Sequence, residues 1–116
     1  MGKYFDELKR AMDYLGQQAD TIFLGQAVAY KGTAMSNTLK SISREKLLEM
    51  PVDEEMQMGI TNGLAVAGSV PISIYPRWNF VLLAMNQLFE LELVPKSPST
   101  HRRSMLETLQ MVPGLC

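Results

Sequence analysis

Residues 51–80 read PVDEEMQMGITNGLAVAGSVPISIYPRWNF, and the fold class follows from how this stretch divides. Pro51 is followed by three acids, Asp53, Glu54 and Glu55. The next residues have helical character and small side chains at Gly59, Gly63, Ala65 and Ala67, and Gly68 is a natural stop, because glycine accepts the left-handed backbone that ends many helices. Val70 to Tyr75 is a β-prone apolar run closed by Pro76, with an aromatic cluster of Tyr75, Trp78 and Phe80 at its end. Strand end, helix and strand in this order make a βαβ-like unit. Carboxylates at the helix start are favoured by the helix dipole, whether or not they have any further role.

Upstream, residues 3–17 place Tyr4, Phe5, Leu8, Ala11, Met12 and Leu15 at spacings of three and four, the mark of an amphipathic helix. Asp6 and Glu7 fall early in it, as the dipole prefers, and Gly16 is a plausible stop. Thr21 to Gly25 is apolar and partly β-branched without alternation, so it predicts a strand covered on both faces, as in a parallel sheet. A loop through Gly32 leads to a helix expected over 34–42, weakened by Ser36, Asn37, Thr38 and Ser41. Leu47-Leu48-Glu49-Met50 predicts a short strand ended by Pro51.

Downstream, residues 79–91 are apolar almost all round, which predicts a helix buried on more than one side. Residues 94–100 contain two prolines and read as a linker. Over 101–112, Met105, Leu106, Leu109 and Val112 are spaced for at most one short helix. Strands alternating with helices give an α/β fold: a partial parallel sheet flanked by helices, joined by right-handed crossovers. The expected division is an α/β domain at 1–92 and a tail at 93–116.

With 116 residues the chain can build one domain with a modest core. Its formal net charge of −1, with basic residues scattered apart from His101-Arg102-Arg103, argues against a nucleic-acid surface, which needs a basic stripe. The apolar runs fall short of the roughly 20 residues of a membrane span. Lys3, Asp6, Glu7, Lys9 and Arg10 interrupt any signal-peptide-like opening, and the single cysteine, Cys116, excludes an intrachain disulfide. A cytoplasmic location is expected.

Glu54, four intervening residues, Gly59, Ile60, two residues and Gly63 give the pattern E-x4-G-Φ-x-x-G. This resembles the pyrimidine-binding domain of thiamine diphosphate enzymes. The gapless continuation through Gly68, Pro71, Asn79 and Phe80 looks like the beta subunit of the decarboxylating component of 2-oxoacid dehydrogenases and, more broadly, the transketolase central region. The likeness runs over about residues 21–88, roughly half of that family's domain, so the chain reads as a truncated version of it.

The resemblance implies that Glu54 hydrogen-bonds a ring nitrogen of the cofactor's aminopyrimidine, which then acts as the internal base for removing the thiazolium proton. It also implies that Phe80 packs on the pyrimidine ring and that Gly59 allows close approach of the cofactor or of another backbone. Each has a plainer reading: Glu54 as a surface helix-start carboxylate, Phe80 as core, Gly59 as helix packing. Where the dehydrogenase branch commonly carries a glutamate after the glycine of the first strand, this chain has Gln26, whose amide can hydrogen-bond substrate or cofactor but cannot exchange a proton. The Gly-Asp-Gly motif that holds the diphosphate and magnesium in this family is missing, so the resemblance implies a second subunit carrying that half-site and the metal. The expected function is the aminopyrimidine half-site of an enzyme acting on a 2-oxo acid or ketose, inactive alone. The alternative is a non-catalytic interaction module of the same fold.

Overall fold

The computed structural model describes residues 2–93 and 105–108, the backbone alone for 90–93 and 105–108. The linker-like run at 94–100, His101 and Cys116 lie outside the described residues. In chain order the elements are α1 (Gly2–Gln17), β1 (Thr21–Gly25), α2 (Ala34–Thr38), β2 (Leu47–Glu49), α3 (Glu54–Val66), β3 (Val70–Tyr75), α4 (Trp78–Val81), α5 (Met85–Leu93) and β4 (Met105–Thr108), with 3₁₀ turns at Arg44–Lys46 and Leu82–Ala84.

The strands form a parallel sheet in the order β2-β1-β3-β4. Phe23 lies opposite Leu47 on one side and Ile72 on the other, so β1 is central. From β1 the chain steps one way to β2, then reverses past β1 to reach β3. Right-handed crossovers in opposite directions lead to opposite faces of a sheet, and the two cores follow this rule. Phe23, Ile72 and Ile74 pack with Met12 of α1, with Met35 of α2 and with Leu39 just after it. On the other face, Tyr75 packs with Met58 of α3 and with Val81, Ala84 and Met85. The alternation along β3 therefore separates Ile72 and Ile74 from Ser73 and Tyr75, although both sets are buried.

Several boundaries follow local chemistry. Asp53 caps α3 by accepting from the Met56 N–H at 3.0 Å, and Gly68, at φ 109°, reverses the chain after it. Helix α2 begins with a reciprocal Thr33–Ser36 capping box but ends at Thr38, short of the expected residue 42. There the Thr38 hydroxyl donates to the Met35 carbonyl, the local competition that serine- and threonine-rich segments offer to a helix. Helix α1 starts at Gly2, so Asp6 and Glu7 lie beyond its first turn.

Two expectations are corrected. Residues 105–108 form a strand where helical spacing suggested a short helix. The outer edge of β3 offers unpaired backbone groups, and Met105–Thr108 pairs with Ile72–Tyr75 along it, a tertiary demand that outweighs a weak local periodicity. The predicted continuous helix at 79–91 is interrupted by the 3₁₀ turn and is buried on one side only: Val81 and Ala84 are inside, whereas Leu82, Leu83 and Phe89 are 57%, 61% and 66% exposed.

The tightest point of the sheet is Gly25, at the end of β1. A Cβ there would lie 2.5 Å from the Ile74 carbonyl oxygen, and backbone cannot yield as a side chain can. Gly25→Ala is expected to destabilise the fold by about 2–3 kcal/mol, the range of overpacked cores, whereas Gly63→Ala, with open space around it, should be neutral or slightly stabilising. Urea unfolding of the two variants checks the contrast.

Candidate functional site

In an open parallel sheet, ligands bind outside the carboxyl ends of the strands where neighbouring connections leave for opposite faces. Here the connection after β1 leads to α2 on one face, and those after β2 and β3 lead to α3 and α4 on the other. Three of the four predicted site residues lie just beyond these ends: Gln26 after β1, Glu54 after β2 and Phe80 after β3.

Glu54 is the first residue of α3 and is only 9% exposed. The residue is thus largely enclosed, while its carboxylate oxygens still reach solvent. Its side chain has no hydrogen-bond partner among the described residues, unlike Asp53, which caps the helix, and Glu55, which accepts from the Asn86 amide at 2.6 Å. Beside it, Tyr75 is 1% exposed, and its hydroxyl also lacks a hydrogen-bond partner. Burial pushes the Tyr75 phenol above the ordinary phenol range. The Ser73 hydroxyl offsets part of this, although it does not complete a hydrogen bond to the phenol oxygen, and the charge of Glu54 adds to the rise.

Gln57 secures this end of α3. It is 1% exposed, and its amide nitrogen donates to the Ser73 hydroxyl and the Ile74 carbonyl at 3.0 Å each, with the Leu24 carbonyl at 3.4 Å. One side chain thus ties the helix to both central strands within a turn of Glu54. Sequence reasoning missed it, since a glutamine among helical residues gives no sign of its burial; its place on the same face as Met58 and Thr61 was the available signal.

The loop after β1 is held by another residue the sequence reading overlooked. The Glu49 carboxylate accepts from the backbone N–H groups of Ala27 at 2.7 Å and Ala29 at 3.0 Å. Ala27 takes φ 59°, a left-handed conformation that costs an alanine roughly 1 kcal/mol, and the two charge-assisted bonds offset that strain. Gln26, half-buried, precedes this clamp.

The other predicted residues are less closely gathered. Phe80 is half-buried in α4, and its backbone N–H donates to the Arg77 carbonyl. Trp78 is exposed. Gly59 faces α5, where an added Cβ would meet the Gln87 side chain at 3.5 Å, an ordinary contact. Asn62 donates to the Gln87 backbone carbonyl at 2.7 Å on the same seam, so Gly59 sits between helices, a turn away from Glu54. Among the described residues no group of three histidine, cysteine or carboxylate side chains could hold a metal ion, and no helix is long and apolar enough to cross a membrane.

The chain is similar to a pyruvate dehydrogenase E1 component subunit beta from Gracilaria tenuistipitata var. liui, at 27% identity over 137 aligned positions. The alignment takes in 96% of this chain, reaching further than residues 21–88, and 42% of the relative, so the chain spans less than half the length of the protein it matches. No protein-family model matches it.

The unpartnered phenol of Tyr75 gives a direct test of the site's internal strain. Leaving a buried hydroxyl unbonded costs about 1–3 kcal/mol, so Tyr75→Phe is expected to raise the unfolding free energy of the chain by about 1–2 kcal/mol. Above pH ~10 the unfolded phenol loses its proton while the folded one keeps it; the folded state then binds more protons, and stability falls as pH rises. The Phe variant should fall less steeply there. Denaturant titrations at pH 8 and at about pH 10.5 measure both effects.

Proposed function

We propose that this chain provides the aminopyrimidine-binding half-site of a thiamine diphosphate-dependent enzyme acting on a 2-oxo acid or ketose. The observation that carries the reading is Glu54: a largely buried residue whose carboxylate reaches solvent and has no hydrogen-bond partner among the described residues, at a helix N-terminus beyond the carboxyl ends of a parallel sheet. Similarity to a pyruvate dehydrogenase E1 beta subunit supports the family, and the spacing Glu54, Gly59, Gly63 supports the role.

The residues present fit the pyrimidine end of the cofactor. The Glu54 carboxylate accepts no hydrogen bond from the described residues, and its oxygens still reach solvent, so it can accept from a protonated ring nitrogen that covers it. When bound, thiamine diphosphate supplies the carbanion chemistry at its thiazolium ring. The protein's part is to bind, orient and exclude water. Glu54 holds a proton between its carboxylate oxygen and the pyrimidine, Phe80 covers the ring, and Gln26 donates or accepts a hydrogen bond without exchanging a proton. Gly59 contributes through the seam between α3 and α5, which fixes the direction of the helix that carries Glu54.

The diphosphate and magnesium fall to a second subunit in this reading. Magnesium requires several oxygen ligands in near-octahedral arrangement, and among the described residues no three histidine, cysteine or carboxylate side chains are gathered to hold a metal ion. The packed helices α3 and α5, with the turn between α4 and α5, leave Met56, Val66, Leu82, Leu83 and Phe89 exposed, apolar surface of the kind subunits cover.

In a complex reconstituted with a partner bearing the diphosphate half-site, Glu54→Gln is expected to lower turnover about 100-fold or more with the fold intact. Glu55→Gln, which alters only the contact with Asn86, should be mild. Equal turnover of the Glu54 variant and the parent would remove Glu54 from the chemistry. The division of labour has its own test. Calorimetry on the single chain should give negligible heat with thiamine diphosphate and magnesium, and tight magnesium-dependent binding without a partner would overturn it.

A further inference from the structure

A second concavity lies away from Glu54, outside β2 and beneath the loop that follows β1. It encloses about 650 Å³ and is lined by Val28, Tyr30, Lys31, Leu39, Lys40 and Arg44, among others, with no acidic residue in its wall. Its volume falls within the range of small-molecule sites. Val28 and Leu39 form a buried apolar floor, whereas Tyr30 and the three cations are exposed at its rim.

The pairing of charges sets this place apart. Lys9 and Arg10 have carboxylate partners in Asp13 and Glu7, and Lys46 donates to the Gln18 carbonyl and the Thr21 hydroxyl. Lys31, Lys40 and Arg44, like Lys3 and Arg77, have no ion pair or side-chain hydrogen bond among the described residues, but these three alone line one cavity. The nearby Glu49 carboxylate does not neutralise them by contact, because it is engaged by the Ala27 and Ala29 N–H groups. Like charges around a concavity focus the field and concentrate anions there. Lysine and arginine together suit a phosphate, the one as a mobile point charge and the other as a fixed fork of donors. The apolar floor and Tyr30 suit an organic group attached to it.

We propose that this cavity binds a small phosphate monoester, with the phosphate among Lys31, Lys40 and Arg44 and the organic part against Val28, Leu39 and Tyr30. A nucleic acid is disfavoured, since the three cations surround one hollow and the chain as a whole carries a net charge of −1. The site is independent of the thiamine diphosphate reading.

Phenyl phosphate, inorganic phosphate and phenol, titrated into the full chain by calorimetry and amide chemical-shift mapping, test the proposal. Phenyl phosphate is expected to bind saturably with a Kd of about 10–1000 μM, inorganic phosphate about tenfold more weakly and phenol negligibly. Shifts should centre on residues 28–44. Lys40→Gln and Arg44→Gln should each weaken binding about tenfold, the scale of one charge-assisted contact. Replacing all three cations by glutamine should abolish binding without lowering the melting temperature, since none has a protein partner, and Lys3→Gln and Glu54→Gln should leave it unchanged. Three results would overturn the proposal: no saturable binding of phenyl phosphate up to about 10 mM, equal binding by the triple variant, or tighter binding of a single-stranded oligonucleotide than of phenyl phosphate.

Discussion

The amide of Gln57 is the fastening on which the site depends. Besides Gln57, helix α3 buries Met58, Thr61 and Ala65, whose packing holds no particular register. A buried amide donating to Ser73 and Ile74 does hold one, because sliding the helix by a residue would leave the donor and its acceptors unsatisfied in a dry interior. Glu54 lies three residues earlier, so fixing Gln57 also fixes the helix start against the end of β3. A buried polar contact thus gives position where apolar packing gives mainly cohesion.

The carboxyl edge of the sheet is fixed by two further constraints of different kinds. Gly25 permits β1 and β3 to approach where any side chain would strike the Ile74 carbonyl. Glu49 holds the next loop in a shape that Ala27 would not favour on its own. All three residues lie within or next to elements whose ends face the same crevice. These fixed contacts gather there, whereas much of the apolar side-chain surface left exposed lies on α3, α5 and the turn before α5.

How much of this was legible in the sequence depended on how local each cause was. The three strands at 21–25, 47–49 and 70–75 and the helix at 54–66 were readable because composition, caps and breakers agree within each segment. The strand at 105–108 was not, since its conformation comes from the open edge of β3, dozens of residues earlier. The burial of Glu54 was not readable either. A helix-start acid looks the same in sequence whether it meets water or protein, and only the motif spacing pointed inward. Gln57 and Glu49 were missed for a related reason: apart from the Ser73 hydroxyl, their partners are backbone groups of other strands and loops, and backbone leaves no trace in sequence.

The central position of β1 shapes how the chain is made. Strand β1 is made before both of its neighbours in the sheet, and the second of these, β3, ends some fifty residues later. At translation rates of about 5–20 residues per second, Phe23 and Leu24 wait on the order of several seconds before both flanks exist. Every pairing in the sheet closes a long loop, which slows folding compared with hairpins. During that interval α1, and soon after it α2, are already made, and Met12 with Leu8 and Leu15 forms the apolar stripe that covers Phe23 in the finished fold. Helix α1 thus stands ready to line one face of a strand whose lasting partners have yet to be synthesised.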